Sequence, residues 1–163
     1  NGYEILPSSL NRAILTIKNP FVDEINDALM YKYLGEAIEY LSCDETLNEN
    51  HQVEYVSLLN ILTPNGLPLH RLILKPNAVI ILLINLDPTE RLWNGTRLIV
   101  KSLSKNVIHA NISFGEFFGK DVFILGIPMR PPSNNQYLVP YKRIQFPFLL
   151  CFAMTINKTQ GQT

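Results

Sequence analysis

The stretch Arg12-Ala-Ile-Leu-Thr-Ile-Lys18, followed directly by Asn19-Pro20, decides how the fold begins. The apolar residues of the first part predict a buried strand, and an asparagine followed by a proline is a specific signal for the start of a helix. We expect this helix to cover residues 20–34 and to end at Gly35. A second strand is predicted over residues 37–42. Strand, helix and strand in this order form the usual unit of a parallel α/β sheet.

The predicted helix is amphipathic, so one of its sides should face a core. Its apolar side comprises Phe21, Ile25, Ala28 and Leu29, and its solvent side carries Asp23, Glu24 and Asp27. These acidic side chains lie near the start of the predicted helix, where they are favourable because the N-terminus of a helix is partially positive.

Beyond residue 63 the pattern changes to short strands separated by turn signals. A short helix is predicted over residues 53–62, and the cluster Thr63-Pro-Asn-Gly-Leu-Pro68 marks a boundary after it. Strands are predicted over residues 70–75, 80–84, 96–103, 107–113, 121–127 and 148–155. Asn94-Gly95 and Ser104-Lys-Asn106 suit tight turns between strands. Several short strands joined in this way predict a small antiparallel β-barrel.

We therefore predict an α/β chain in which a small barrel interrupts a parallel-sheet domain. The predicted division is residues 1–62 for the first part of that domain, 63–140 for the inserted barrel and 141–163 for the return strand. The polar stretch 44–52 and the proline- and asparagine-rich stretch 129–135 are predicted loops. Both ends of the chain have the character of cut edges, so we expect it to be a piece of a longer protein.

Charge is balanced overall but unevenly placed. The chain has 14 basic and 14 acidic residues, and the acids crowd its first third. From Arg91 onward Lys and Arg dominate, so a polyanion is expected on the second half. The apolar run at residues 79–84 is far too short to span a bilayer. Cys43 and Cys151 are predicted to be buried reduced thiols, with a disulfide as the alternative, and no Cys/His spacing suggests zinc.

Motifs of several enzyme classes are missing from the sequence. There is no Gly-x-x-x-x-Gly-Lys-Ser/Thr phosphate loop, no Gly-x-Ser-x-Gly nucleophile elbow and no His-Glu-x-x-His metal motif. Asn94-Gly-Thr96, Asn111-Ile-Ser113 and Asn157-Lys-Thr159 match the N-glycosylation pattern, which an asparagine-rich chain also produces by chance. They leave a secreted glycoprotein as one alternative.

The segment Leu149-Leu-Cys-Phe-Ala-Met-Thr-Ile-Asn-Lys-Thr-Gln-Gly-Gln-Thr163 carries the clearest chemical signal. An apolar strand stops there at a cluster of polar side chains around a glycine, and α/β sheets bind their ligands at such strand ends. Groups suited to phosphate oxygens are supplied by Lys158, Thr155, Asn157, Thr159 and Gln160. The alternative is a solvent-exposed loop with Gly161 at a turn.

The same segment resembles motif V of the Pif-type superfamily 1 DNA helicases, a family that Helitron transposons also encode. Its usual form is Ala-x-Thr-Ile-Asn/His-Lys-Ser-Gln-Gly-x-Thr. Three further stretches resemble the family in the same order, at residues 12–26, at 66–75 continuing to 83–88, and at Trp93-Asn-Gly-Thr-Arg-Leu-Ile-Val100. The resemblance, which runs from about residue 12 to residue 163, implies the second RecA-like domain with an inserted barrel of the Src-homology-three type.

The resemblance also assigns roles to residues near the ends of the first and the last predicted strand. It implies contacts to the backbone of single-stranded DNA for Thr155, Asn157, Lys158, Thr16 and Asn19. It implies a position facing the nucleotide for Gln160 and Gly161. The family uses ATP and Mg²⁺, and it forms their sites largely from motifs that this chain lacks.

The function implied is that of a segment of an ATP-dependent helicase that moves 5′ to 3′ on DNA. Roles in unwinding, repair, recombination, telomere maintenance or Helitron transposition go with it. We expect the chain alone not to hydrolyse ATP, because Walker A, Walker B and the arginine finger are absent. Its expected partners are single-stranded DNA and a first RecA-like domain of the same polypeptide, without a membrane, in the nucleus or in mitochondria. The alternative is a stand-alone nucleic-acid-binding barrel without ATPase activity.

Two departures from the family pattern affect these expectations. Asn77 stands where the family commonly has glycine, and asparagine also accepts a left-handed backbone conformation. Ile84 replaces the basic residue that often precedes Asn85, which removes a possible DNA contact.

Overall fold

The computed structural model describes residues 14–16, 19–47, 52–132 and 140–155. Within these residues the elements are β1 (Ile14–Thr16), α1 (Asn19–Lys32), β2 (Ile38–Leu41), β3 (Cys43–Thr46), α2 (Gln52–Ile61), β4 (Arg71–Leu74), β5 (Val79–Leu82), β6 (Arg97–Leu103), β7 (Val107–Ile112), β8 (Asp121–Leu125), β9 (Ile127–Met129), β10 (Tyr141–Gln145), β11 (Phe148–Leu150) and β12 (Ala153–Thr155). Neither helix in this part of the chain has the length and apolarity that crossing a bilayer requires.

Strands β1 and β12 form a parallel pair. Ile14 lies opposite Ala153 and Thr16 lies opposite Thr155. The last described strand therefore returns to the first, which the sequence predicted. The remaining strand pairs are antiparallel among the described residues, so the fold is mixed α/β with mainly antiparallel sheets.

Strand β2 does not join this parallel pair, so the predicted strand–helix–strand unit is wrong in its pairing. It pairs antiparallel with β4, with Ile38 opposite Leu74. Its Tyr40 is buried, packs edge-on against the ring of Phe146 at 4.9 Å, and donates its hydroxyl to the carbonyl of Ser104. These contacts come from segments distant in sequence. A local pattern finds such a strand but does not identify its partner.

The largest sheet has five antiparallel strands in the order β11-β5-β6-β7-β8. β5 is buried along its whole length, whereas exposed and buried positions alternate along β8. Leu82, Leu98 and Ile108 are fully buried in the main core on the inner side of this sheet. The prediction of short antiparallel strands beyond residue 63 is confirmed. The closed barrel, the RecA-like sheet and the three domain boundaries stay predictions.

Two segments predicted as single strands are each divided. Gly126 separates β8 from β9, which pairs with β10 in another sheet. Cys151 and Phe152 separate β11 from β12. The amide of Cys151 donates to the carbonyl of Val79 at 2.8 Å, and the carbonyl of Phe152 accepts from the amide of Ile14 at 3.0 Å. The chain thus changes partner at each break, which an unbroken apolar pattern does not reveal.

Strands β3 and β10 were not predicted, because polar residues fill both. They pair antiparallel with Arg143 opposite Asp44, and the two side chains are fully buried. Arg143 donates to both carboxylate oxygens of Asp44 at 2.8 and 2.7 Å. It also donates to three main-chain carbonyls, those of Leu59, Leu62 and Pro68. The predicted loop over residues 44–52 is therefore wrong at its start, since a fully bonded ion pair allows charges to be buried.

Two side chains predicted to be buried are exposed. Cys43 lies on the exposed side of β3, so only Cys151 is a buried thiol, and the two cysteines are not joined by a disulfide. Ala28 is exposed on α1, and the buried side chains among those described on this helix are Asn26 and Met30. The helix is rotated slightly from its predicted orientation, because a polar residue takes part in its packing.

Asn77 adopts the conformation that its sequence position predicted. It lies in the turn between β4 and β5 with φ +66°, a left-handed value. Its amide donates to the carbonyl of Val100 at 2.8 Å, which ties the turn to β6. Asparagine can therefore replace glycine here without breaking the turn.

Candidate nucleic-acid interface

The ends of β1 and β12 bring together three of the residues predicted to contact DNA. Thr16 and Thr155 close the two strands and are direct neighbours across the parallel pair. Asn19 begins α1 after only two intervening residues. Since α1 starts at this edge, the partial positive charge of its N-terminus is placed beside the two strand ends. We call this arrangement of Thr16, Asn19 and Thr155 the strand-end edge.

The other predicted site residues lie outside the described residues. They are Asn157, Lys158, Gln160 and Gly161. They follow Thr155 in the chain, and their roles toward DNA and nucleotide stay predictions.

Asn26 of α1 fixes the position of β12 and was not predicted. Its side chain is 4% exposed. Its amide nitrogen donates to the carbonyls of Leu150 and Ala153 at 3.3 and 3.4 Å, and its amide oxygen accepts from the nitrogen of Ala153 at 2.8 Å. The signal in the sequence was an asparagine beside the apolar side of an amphipathic helix. Such an amide can hold a strand in place because it satisfies main-chain groups where the strand begins.

A second group of aromatic and basic side chains surrounds the loop between β7 and β8. The guanidinium of Arg91 lies 5.0 Å from the ring centre of Trp93 and 5.8 Å from that of Phe117. The ammonium of Lys120 lies 5.3 Å from the same Phe117 ring, and it forms an ion pair with Glu90. These are cation–π distances. Phe114 and Phe118 of the loop are exposed as well.

Strands β7 and β8 carry a bonded polar cluster on their outer side. His109 Nε2 and Asn111 Nδ2 each lie 2.6 Å from the same carboxylate oxygen of Asp121. The hydrogen bond with His109 lowers the pKa of Asp121 most, and that with Asn111 lowers it further. Asp121 is the first residue of β8. It is exposed, but it is engaged on both sides by its neighbours.

The described residues contain no group of three or more His, Cys, Asp or Glu side chains that could hold a metal ion. The two residues predicted to face the nucleotide, Gln160 and Gly161, lie outside them. The candidate site residues in the described part of the chain are thus those at the strand ends, side-chain amides and exposed aromatic rings.

Part of the sequence matches a known family of DNA helicases. Residues 57–103 match the family model of the DNA helicase Pif1, 2B domain. This segment runs from within α2 to the end of β6. No curated protein matches the sequence of the chain.

Solved structures of Pif1 helicases have a similar fold over nearly the whole chain. Pif1 helicase from Candida albicans is 23% identical with a TM-score of 0.68, and the match covers 97% of this chain and 39% of that one. Unliganded Pif1 from Bacteroides sp is 22% identical with a TM-score of 0.65, over 96% of this chain and 46% of that one. Bacteroides Pif1 in complex with ADP-AlF3 and ssDNA is 21% identical with a TM-score of 0.61, over 93% and 32%.

These matches define the class of the fold, which is that of a Pif1-type DNA helicase. They confirm the resemblance that the four ordered stretches indicated. The chain spans between about a third and a half of the length of these helicases, at 32 to 46%.

Proposed function

We propose that this chain is a segment of an ATP-dependent DNA helicase that moves 5′ to 3′, and that its strand-end edge contacts the backbone of single-stranded DNA. The pairing of Thr16 with Thr155 carries the proposal. The family resemblance assigns phosphate contacts to residues at both ends of the sequence. The parallel pair makes those residues neighbours.

The chemistry of this edge suits phosphate groups. Threonine hydroxyls and main-chain amides donate to phosphate oxygens, and the N-terminus of a helix attracts negative charge. Lys158 follows Thr155 by three residues and would add a full positive charge. Contacts of this kind position a strand without reading its sequence.

The same segment can couple DNA to nucleotide. Gln160 and Gly161, which the resemblance places toward the nucleotide, follow the DNA-contacting residues directly in the chain. Asn26 holds the start of β12 against α1. Because β12 is fixed to the helix and only Thr159 lies between Lys158 and Gln160, a shift of one set of residues would reach the other directly. In the whole protein we expect ATP with Mg²⁺ to drive this shift.

The stand-alone barrel is not favoured. The structural matches cover 93 to 97% of the chain and so include α1, β1 and β12 as well as the segment 57–103. A barrel module alone would not require the parallel pair or Asn26.

The test is the affinity of the chain for labelled single-stranded DNA, measured by fluorescence anisotropy across a salt series. Lys158→Ala should weaken binding. It should also reduce the steepness of the plot of log affinity against log salt by about 1, which corresponds to the loss of one phosphate contact. Lys32→Ala is the matched control. It removes the same charge from the exposed last turn of α1, at the end of the helix remote from Asn19.

Equal affinity and equal salt slope for Lys158→Ala and the unaltered chain would reject the proposed DNA contact, which runs from the strand-end edge onto the residues that follow Thr155. Equal losses for Lys158→Ala and Lys32→Ala would reject it too, because a general effect of charge would then explain the binding.

A further inference from the structure

The outer side of strands β7 and β8 presents an exposed aromatic ring on the surface of the sheet. Along β8 the side chains alternate, so that Val122 and Ile124 enter the core while Phe123 and Leu125 face outward. Phe123 is 69% exposed and Leu125 is 59% exposed. We call the outward side chains of His109, Asn111, Asp121, Phe123 and Leu125 the outer face.

Among the described residues, the ring of Phe123 is stacked on one side, against His109. His109 is its cross-strand neighbour, and the two rings lie 4.8 Å apart with an angle of 16° between their planes. Because the phenyl ring remains mostly exposed, its second side is open. A planar group placed there would extend the stack from two rings to three.

The stack is held in a fixed orientation by hydrogen bonds. His109 is bonded to Asp121, and Asn111 donates to the same oxygen of Asp121 and to the carbonyl of Gly119 at 3.0 Å. The imidazole therefore cannot rotate without losing its partner. A ring that is already oriented loses less conformational freedom when a ligand stacks on it.

The charge around the outer face suits a polyanion. Strands β6 to β8 contain one carboxylate, Asp121, which is engaged by His109 and Asn111. Lys101 of β6 is exposed and close enough to act electrostatically on Asp121. Lys105, in the turn between β6 and β7, is exposed as well. The two lysines thus place positive charge on the strand and the turn that adjoin β7, where it can attract phosphates.

We propose that the outer face is a stacking platform for the unpaired bases of single-stranded DNA, separate from the strand-end edge. An exposed ring flanked by lysines is the combination that binds single strands without sequence preference. A protein partner is a poorer fit, because covering the outer face with an apolar surface would leave Asn111, His109 and Asp121 without water. The choice of DNA rests on the proposed function.

The test separates base stacking from phosphate contact. Anisotropy is measured with an oligothymidylate and with a strand of equal length that carries abasic sites throughout. Phe123→Leu should weaken binding of the oligothymidylate about five- to fiftyfold, because one stacking contact is lost. It should leave binding of the abasic strand unchanged. Phe123→Tyr, which keeps an aromatic ring, should bind the oligothymidylate as tightly as the unaltered chain does.

Tyr31→Leu is the matched control, since Tyr31 is 86% exposed on α1, outside the outer face. It should change neither affinity. Circular dichroism of each variant checks that the chain remains folded.

The proposal is overturned if Phe123→Leu binds the oligothymidylate as the unaltered chain does, or if it weakens both strands equally. It is also overturned if the chain binds neither strand. If Phe123→Leu leaves DNA binding unchanged but converts a dimer to a monomer in sedimentation, the outer face joins two copies of the chain instead. The strand-end edge is judged separately, because Lys158→Ala should weaken binding of both strands. A loss with Phe123→Leu alone would support the platform and reject the edge.

Discussion

At the scale of single residues, the most demanding position is Arg143. A guanidinium and a carboxylate that are both fully buried carry a large desolvation cost. Arg143 meets this cost with five hydrogen bonds, two to Asp44, one to a main-chain carbonyl of α2 and two to main-chain carbonyls of the segment between α2 and β4. One side chain thus fixes β3, β10 and the end of α2 relative to one another.

Replacing Arg143 with methionine should destabilise the chain by about 3–5 kcal/mol, because it leaves the carboxylate of Asp44 buried without an opposite charge. The measurement is the free energy of unfolding in urea. Lys142→Met is the control on the same strand. Lys142 pairs with Glu45 near the surface, so its loss should cost under about 1 kcal/mol.

The double variant Asp44→Leu with Arg143→Met should recover part of the lost stability, because no unpaired charge then remains. A single variant Arg143→Met within about 1 kcal/mol of the unaltered chain would show that the buried pair does not control this junction.

At the scale of elements, the joint between α1 and β12 links packing to the proposed site. β12 has three residues and pairs only with β1 among the described strands. So short a strand is weakly held by its ladder alone. Asn26 adds two hydrogen bonds to Ala153, where β12 begins, and one to Leu150, at the end of β11. The helix therefore determines where Thr155 lies.

Asn26→Leu should lower the free energy of unfolding by about 1–3 kcal/mol, since it removes the partners of buried main-chain groups. It should also weaken single-stranded DNA binding at a temperature where the chain is still folded, because β12 loses its fixed position. Unfolding in urea and anisotropy measure the two effects. Asp27→Leu places the same side chain one residue further on, at an exposed position of α1, and should change neither.

If Asn26→Leu lowers stability but binds DNA with unchanged affinity, the joint stabilises the fold without positioning the site.

At the scale of the whole molecule, the chain should bind DNA without hydrolysing ATP. Its sequence has no P-loop. Phosphoryl transfer in P-loop enzymes needs the Lys of that loop, Mg²⁺ and an arginine together. In the intact helicase these groups would come from other parts of the polypeptide.

The expected result is no release of phosphate from ATP above background by the purified chain, with Mg²⁺ and with or without single-stranded DNA. Lys158→Ala serves as the control for contaminating activity. DNA-stimulated hydrolysis that is present in the unaltered chain and lost in Lys158→Ala would contradict the prediction, because a contaminant would not respond to that substitution.

Local patterns in the sequence were enough to place most of the elements. Asn19-Pro20 marks the start of α1, and the alternation of apolar residues beyond residue 63 marks strands that the structure contains. Asn77 was expected to tolerate a left-handed conformation and does so. These features depend on a residue and its near neighbours. Steric and capping preferences act over a few residues, so they can be deduced without knowing the fold.

The tertiary structure alone decided which strands pair and which polar residues are buried. β2 was expected beside β1 and lies beside β4, and the polar strands β3 and β10 form through the ion pair of Asp44 with Arg143. The orientation of the exposed Phe123 ring also depends on stacking against its cross-strand partner His109. Each of these features joins residues that are distant in the chain. Their stability comes from burial and hydrogen bonding between two distant segments, and a local sequence pattern covers only one of the two.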